Sequence, residues 1–111
     1  MSSVARAKPK TPTPTPPPAP APPLKLITTT LFDRDVKRQA KRGKALGKLH
    51  EIIETLRNRR PLDRTYKDHS LGGEWKGGRD CHVEPDWVLI YSNDDISLTL
   101  ARTGTHSDLS D

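Results

Sequence analysis

Five side chains suited to proton transfer and anion binding lie in the C-terminal part of the chain. Three are imidazoles, one is a carboxylate and one is a guanidinium: His69, His82, His106, Asp86 and Arg102. An imidazole has an ordinary pKa of about 6.5, so it can act as an acid or as a base near neutral pH. The set predicts general acid–base catalysis on a substrate that carries a negative charge.

RNA cleavage without a metal ion requires groups of these kinds. A base takes the proton of the 2′-hydroxyl, an acid protonates the 5′-oxygen leaving group, and a cation stabilises the pentacovalent phosphorus. Each residue alone has a structural explanation, with His82 on a strand surface, Asp86 in a turn after proline and His106 at a strand exit. Their occurrence with a basic helix in one small domain favours a ribonuclease.

The net charge of +5 is divided unevenly between two halves of the chain. Residues 32–60 contain ten Lys and Arg against four Asp and Glu, whereas residues 61–111 contain five against ten. A basic half beside an acidic half is typical of a protein that a polyanion approaches from one side. We expect RNA contacts from the basic face of the first predicted helix, although such a face is often merely solvated. That face consists of Arg34, Lys37, Arg38, Lys41 and Arg42.

We expect no cofactor and no metal ion. The single cysteine, Cys81, excludes an internal disulfide, argues against a thiolate zinc site and is predicted to be an inert core residue. Residues 49–54, with the sequence LHEIIE, lack the second histidine of an HExxH zinc helix. A glycine-rich phosphate loop is also missing from the sequence.

Composition predicts one domain after an extended tail. Nine of the eleven prolines fall between residues 9 and 23, which favours polyproline geometry and leads us to expect a disordered tail over residues 1–23. Residues 24–111 suffice for one small core. No apolar stretch is long enough to span a bilayer, and the first 23 residues lack a secretory signal, so we expect a cytoplasmic protein.

The first predicted elements are a strand over residues 24–30 and a helix over residues 31–42. The spacing of Thr30 and Asp33 is that of a helix-start box, and Gly43 is a suitable stop. The apolar stripe of this helix is predicted to consist of Phe32, Val36 and Ala40. A second amphipathic helix follows and ends near Asn58.

An antiparallel meander is predicted beyond a surface loop at residues 61–70. Its strands lie in residues 81–83, 87–91 and 96–101, joined by turns at residues 84–87 and 93–95. Arg102 continues the alternation of the apolar residues before it, so it reaches a polar site only if a bulge, a rim or a pocket intervenes. The order of elements predicts an α+β domain with its helices on one face of the sheet.

Several segments together resemble one family of bacterial toxins. They are residues 32–38 (FDRDVKR), 66–69 (YKDH), 73–77 (GEWKG), 81–87 (CHVEPDW) and 102–109 (RTGTHSDL). Together they resemble the YafQ-type mRNA interferases of the RelE/ParE toxin–antitoxin superfamily. The resemblance covers residues 24–109 and excludes the proline-rich tail.

This resemblance implies a RelE-like fold, with an N-terminal strand, a two-helix hairpin and a curved antiparallel sheet whose open face carries the active site. It implies metal-independent cleavage of mRNA in the ribosomal A site and neutralisation by a ribbon-helix-helix antitoxin. His69, His82, Asp86 and His106 resemble the acid–base set. Arg102 resembles the phosphate-binding cation, and Trp87 a supporting residue that contacts RNA. We expect His106 to be the acid, and Asp86 or His82 to be the base.

Two other functions are open from the residues alone. One is a non-catalytic, ParE-like inhibitor of DNA gyrase, a class that does not need the three histidines. The other is an inactive basic module that binds ribosomes. The sequence also departs from the family, because Ser110 stands where an aromatic residue is usual, and the resemblance therefore implies weaker activity or an altered codon preference.

Overall fold

A computed structural model describes residues 21–73 and 77–110. The expectation of a disordered tail therefore falls largely outside the described residues. Trp75 and its two neighbours, which belong to one segment of the resemblance, also fall outside them. No helix in the described part of the chain is long and apolar enough to cross a membrane.

The elements follow the predicted α+β order. They are β1 (Lys25–Thr28), α1 (Thr30–Lys41), α2 (Leu46–Arg57), a 3-10 turn (Arg64–Tyr66), β2 (His69–Ser70), β3 (Arg79–Glu84), β4 (Trp87–Asn93), β5 (Ser97–Gly104) and α3 (His106–Leu109). The last predicted strand was expected to begin at Ile96, but that residue precedes β5 and its side chain is 73% exposed.

Five strands form one sheet in the order β1-β5-β4-β3-β2. The predicted meander is confirmed, because β3, β4 and β5 pair antiparallel with their sequence neighbours. Strand β1 instead pairs parallel with β5, from Lys25 opposite Ser97 to Thr28 opposite Leu100. The sheet is therefore mixed rather than wholly antiparallel.

Thr29, rather than the predicted Thr30, is the N-cap of α1. The Thr29 hydroxyl accepts a hydrogen bond from the backbone N–H of Phe32 at 2.9 Å and donates one to the carbonyl of Ala101 at 2.7 Å. The bond to Ala101 explains why Thr29 rather than Thr30 caps the helix, because Thr29 lies where β1 ends beside β5 and can reach both partners. Gly43, with a φ of 77°, follows the end of α1 as predicted.

The buried stripe of α1 differs from the predicted apolar one. Phe32, Asp35 and Gln39 are buried, whereas Val36 is partly buried and Ala40 is exposed. Two polar side chains are buried here. Asp35 accepts hydrogen bonds from β5, and Gln39 Nε2 donates to Asp108 at 3.2 Å, whereas Gln39 Oε1 has no hydrogen-bond partner among the described residues. An apolar pattern alone does not detect such positions.

The core lies between the helices and one face of the sheet. It is formed by Leu24, Phe32, Leu49, Ile52, Ile53, Cys81, Val83, Trp87, Leu89, Tyr91, Leu98 and Leu100. Cys81 is fully buried, and burial raises the pKa of its thiol to about 12, which agrees with the predicted inert core residue. Trp87 is also fully buried, and its indole N–H donates to the Thr103 hydroxyl at 2.9 Å.

Replacing Thr103 by Val is expected to lower the free energy of unfolding by about 1–3 kcal/mol, because it leaves the buried Trp87 N–H without an acceptor. The Thr103 hydroxyl also donates to the carbonyl of Val88 at 2.8 Å, and that bond is lost too. Denaturant unfolding measures the change. Thr99→Val, at a partly buried position of the same strand, is the control, and an equal effect in both variants would contradict the assignment.

Candidate active site

Strand register gathers a row of side chains on the sheet face opposite the core. His69 pairs with Asp80, Asp80 with Ile90, and Ile90 with Arg102. Directly paired residues project from the same face of a sheet, and Cys81, which alternates with this row, belongs to the core. His69, Asp80 and Arg102 therefore share the open face, and His82 joins them from two residues further along β3.

A β-bulge places Arg102 on this open face. Strict alternation from the buried Leu100 would have directed Arg102 toward the core. Ile90 pairs with Arg102, whereas the next residue of β4 pairs with Leu100, so Ala101 is an additional residue in β5. The additional residue reverses the alternation, and Thr103 occupies the next buried position.

The carboxylate of Asp80 lies between two imidazoles. Its Oδ1 is 3.9 Å from His69 Nε2 and 3.8 Å from His82 Nε2. This oxygen is buried and has no hydrogen-bond partner among the described residues. His69 Nδ1 lies 2.8 Å from the carbonyl of Lys67, which can only accept, so the Nδ1 proton is donated there. The sequence analysis missed Asp80, although its spacing from His82 was the available signal.

Asp86 holds His106 from a neighbouring turn. Asp86 Oδ1 accepts from His106 Nδ1 at 2.7 Å and from the His106 backbone N–H at 3.2 Å. The side-chain bond, with the backbone bond second, lowers the pKa of Asp86 below its ordinary value. Asp86 is therefore an ionised partner that directs His106 Nε2 outward, which makes it a weak candidate for the general base. The ring centroids of His106 and His82 are 5.6 Å apart.

Arg102 is fixed by a buried carboxylate on α1. Its Nε and Nη2 donate to Asp35 at 2.7 and 3.2 Å, and the side chains of Arg102 and Asp35 are 16% and 2% exposed. Asp35 also accepts from the backbone N–H of Thr103 at 3.1 Å. Hydrogen bonding to Asp35 raises the pKa of Arg102, so the guanidinium is a permanent, immobilised cation. Sequence periodicity gave no signal for Asp35.

The short helix α3, which begins at His106, is clamped to α1 by Asp108. Arg42 donates two hydrogen bonds to Asp108, at 2.7 and 3.0 Å, and the Thr105 backbone N–H donates a third at 2.9 Å. Thr105 and Asp108 complete a capping box at the start of α3. The bond from Arg42 is the main reason that the pKa of Asp108 lies well below its usual range. We call this arrangement the Asp108 clamp.

The expected RNA-contact residues fall into three groups. Arg34, Lys37 and Lys41 are exposed on α1. Arg38 and Arg42 are 45% and 41% exposed, but both face Asp108, with Arg38 at 3.8 Å. Trp87 has no exposed surface, which corrects the expectation that it contacts RNA. Its indole N–H instead bonds, from the core side, to Thr103, the residue after Arg102.

A partly buried network anchors the loop that carries His69. Tyr91 donates to Asp68 Oδ1 at 2.7 Å, and Arg79 donates to both Asp68 oxygens at 3.2 and 3.3 Å. Burial, and then hydrogen bonding to Asp68, raise the pKa of the Tyr91 hydroxyl, so this group stays a neutral donor. The network fixes the residue directly before His69, and sequence reasoning had placed Asp68 only in a surface loop.

The open face thus combines three imidazoles, two carboxylates that contact them and one fixed guanidinium. Such a set can take a proton on one side of a phosphodiester, deliver a proton on the other and stabilise charge between them. Within residues 21–73 and 77–110, no group of three or more His, Cys, Asp or Glu side chains could hold a metal ion.

Residues 24–111 match a family model described as the bacterial toxin of a type II toxin–antitoxin system, YafQ. The mRNA interferase toxin YafQ of Escherichia coli strain K12 is 51% identical over 79 residues, which cover 70% of this chain and 86% of that protein.

Solved structures agree with the family match. The crystal structure of YafQ from E. coli strain BL21(DE3) has a TM-score of 0.75 and 45% identity, over 78% of this chain and 97% of that one. YafQ in the crystal structure of the E. coli DinJ–YafQ complex has a TM-score of 0.73 and 46% identity, again over 78% and 97%.

Asp108→Ala is expected to lower the free energy of unfolding by about 1 kcal/mol, because it removes the capping box and an ion pair that contributes little, since its Arg42 side chain is 41% exposed. Asp108→Asn keeps an acceptor for the Thr105 N–H and is expected to lose less. Denaturant unfolding of both variants measures the difference, with Ser107→Ala on the same helix as the control. An Asn variant as unstable as the Ala variant would contradict the capping role.

The contribution of Asp108 is expected to depend on pH. Its pKa is lowered in the folded protein, so its stabilisation is complete above the ordinary aspartate pKa of about 3.9 and is lost as the pH falls below that value. The difference in unfolding free energy between the wild type and Asp108→Ala should therefore be constant from pH 7 to pH 5 and shrink in more acid solution. If this difference in unfolding free energy grows on acidification, the lowered pKa assigned to Asp108 is contradicted.

Proposed function

Because the chain belongs to the YafQ family of bacterial toxins of type II toxin–antitoxin systems, we propose that its open sheet face cleaves ribosome-bound mRNA by acid–base catalysis. The protein is an mRNA interferase, that is, an endoribonuclease. The mRNA interferase name of its relatives decides against the gyrase-inhibitor alternative. The observation that carries the proposed mechanism is the proximity of the His82 and His106 rings, whose centroids are 5.6 Å apart, with Asp80 near His82 and Asp86 hydrogen-bonded to His106.

His106 is the general acid in this proposal. Its Nδ1 proton is bound by the ionised Asp86, so Nε2 is the nitrogen that faces the substrate. The negative charge of Asp86 stabilises the protonated ring until the 5′-oxygen leaves with the Nε2 proton. Asp86 is thereby a positioning residue, and this role takes the place of the expected role as a base.

His82 is the general base, and Asp80 stabilises the imidazolium that it forms. The ring accepts the 2′-hydroxyl proton, the 2′-oxygen attacks phosphorus, and the bond to the 5′-oxygen breaks. The products are a 2′,3′-cyclic phosphate and a 5′-hydroxyl. His69 shares the Asp80 carboxylate and contacts the phosphate, while Arg102 stabilises the charge on the pentacovalent phosphorus.

The partners follow from charge and from the relatives. The exposed Arg34, Lys37 and Lys41 contact phosphates of mRNA or ribosomal RNA in the A site. The E. coli YafQ structure in complex with DinJ supports a cognate antitoxin for this protein, and we propose that it is of the ribbon-helix-helix class. We assign catalysis to residues 24–111, the extent of the family match, in the cytoplasm.

His106→Gln is expected to reduce the rate of mRNA cleavage by about 10²- to 10⁴-fold, because the acid for the leaving group is lost. Programmed ribosomes with end-labelled mRNA measure the rate, and circular dichroism verifies the fold. His50→Gln, an exposed substitution on α2, is the matched control and should cleave normally. A His106→Gln variant that cleaves at the wild-type rate would remove His106 from the mechanism.

Cleavage is expected to leave a 2′,3′-cyclic phosphate and to survive metal removal from the toxin. The purified protein is dialysed against EDTA, freed of chelator and returned to ribosomes in magnesium buffer, so that the ribosome itself stays intact. Unchanged activity, and no cleavage of mRNA with a 2′-deoxynucleotide at the cut site, are the expected results. Products ending in a 3′-hydroxyl, or activity restored only by an added metal, would contradict the mechanism.

A further inference from the structure

A cleft with a volume of about 300 Å³ opens beside His82. One wall is the 3-10 turn and the residue after it, and the other is the end of β3 with the turn that follows. Tyr66 and Lys67 line the first wall, and His82 and Pro85 line the second. The volume lies at the lower end of the range of about 300–1,000 Å³ that is usual for small-ligand sites. The cleft is therefore large enough for one small planar group.

The β3 wall of the cleft is a strand edge. Strand β2 pairs with β3 only through Arg79 and Asp80, so the remainder of β3 has a strand partner on the β4 side alone within the described chain. Residues 82–84 of that segment line the cleft, and a strand edge of this kind leaves its outward backbone N–H and C=O groups without a partner strand. They offer a row of donors and acceptors to any planar group that carries both.

Tyr66 provides a fixed aromatic wall. Its ring is half-buried and packs against the core, and it also lines a second cleft with Lys48 and Glu51. An aromatic side chain that is already held in place loses little conformational entropy on binding. Unpaired RNA bases stack on such rings and hydrogen-bond through their edges.

The polar side chains around the cleft are largely engaged elsewhere. The Thr65 hydroxyl donates to Asp63 at 2.8 Å, and Glu84 accepts from Lys48 at 2.8 Å. Recognition by the cleft therefore depends on the Tyr66 ring and on the backbone of β3. The Lys67 ammonium, on an exposed residue at the rim, is suited to a phosphate.

We propose that this cleft binds one nucleobase of the single-stranded RNA substrate beside the scissile phosphate and contributes to the choice of cleavage site. The proposal rests on the proposed function, because His82 is both a wall of the cleft and a member of the acid–base set. A base stacked on Tyr66 and hydrogen-bonded to the edge of β3 brings its own phosphate toward His82 and His106. The cleft thus couples base recognition to the position of the reacting bond.

Tyr66→Leu tests the stacking wall, because it keeps apolar volume against the core but removes the ring. We expect KM for mRNA cleavage on ribosomes to rise by about 5- to 100-fold, with a smaller change in kcat. We also expect the distribution of bases at the cut sites, mapped by sequencing mRNA ends, to become broader. Tyr66→Phe keeps the ring and is the matched control, which should retain the wild-type distribution. Thermal unfolding verifies that both variants are folded.

A direct binding experiment removes any dependence on turnover. A trinucleotide with 2′-O-methyl groups is titrated into the isotope-labelled wild-type protein, and backbone amide signals are followed by NMR. Amides of residues 64–67 and 82–84 should shift in the wild type and in Tyr66→Phe, and much less in Tyr66→Leu.

Three results would overturn the proposal. The first is an unchanged cut-site distribution with Tyr66→Leu, and the second is trinucleotide shifts confined to α1. The third is a Tyr66→Leu variant that cleaves normally but no longer binds its antitoxin, which would make the cleft a protein-docking site. Normal cleavage by His106→Gln would instead refute the proposed mechanism, so the two failures are distinguishable.

Discussion

The buried ion pair between Asp35 and Arg102 connects the helical layer to the open face of the sheet. A carboxylate that is only 1% exposed is costly to bury unless a countercharge and hydrogen-bond donors lie beside it. Two consecutive residues of β5 supply these to Asp35, namely the Arg102 guanidinium and the Thr103 backbone N–H. These contacts are available because β1 ends at Thr28 and leaves the edge of β5 open to α1. The position of α1, the position of the bulge and the direction of Arg102 are therefore set together.

Around this fixed cation, the site pairs imidazoles with carboxylates. Asp80 contacts two rings from within one strand face, whereas Asp86 reaches His106 from the turn between β3 and β4. The two arrangements differ in exposure: the side chain of Asp80 is 15% exposed and that of Asp86 is 70% exposed. A charge on His82 therefore forms in a less solvated environment than a charge on His106. This difference suits opposite proton-transfer roles for the two imidazoles.

Sequence reasoning found the parts that depend on local patterns. Alternating apolar residues located the meander, and the histidines with Arg102 were recognised as one set whose convergence the strand register explains. Features that depend on tertiary partners were missed. Ala101 has no local mark of a bulge, Asp35 looks like any polar helix residue, and Thr29 rather than Thr30 is the cap because β5 lies beside it.

Trp87 is a residue that sequence reasoning wrongly assigned to RNA contact. An aromatic residue within a functional motif is as readily a core residue as a ligand contact. Its burial follows from alternation in β4, where it shares the core side with Leu89 and Tyr91.

The Asp108 clamp makes the packing of α3, which begins at His106, sensitive to salt. The Arg42 side chain of the clamp is 41% exposed, and exposed charges are screened over a Debye length of about 8 Å at physiological ionic strength. The Asp35–Arg102 pair is shielded from the same ions by burial. Rising salt therefore weakens the ion pair between Arg42 and Asp108, which holds α3 and its first residue, His106, to α1. The ion pair that holds Arg102 is affected less. Among the groups of this active site, ionic strength acts first on α3.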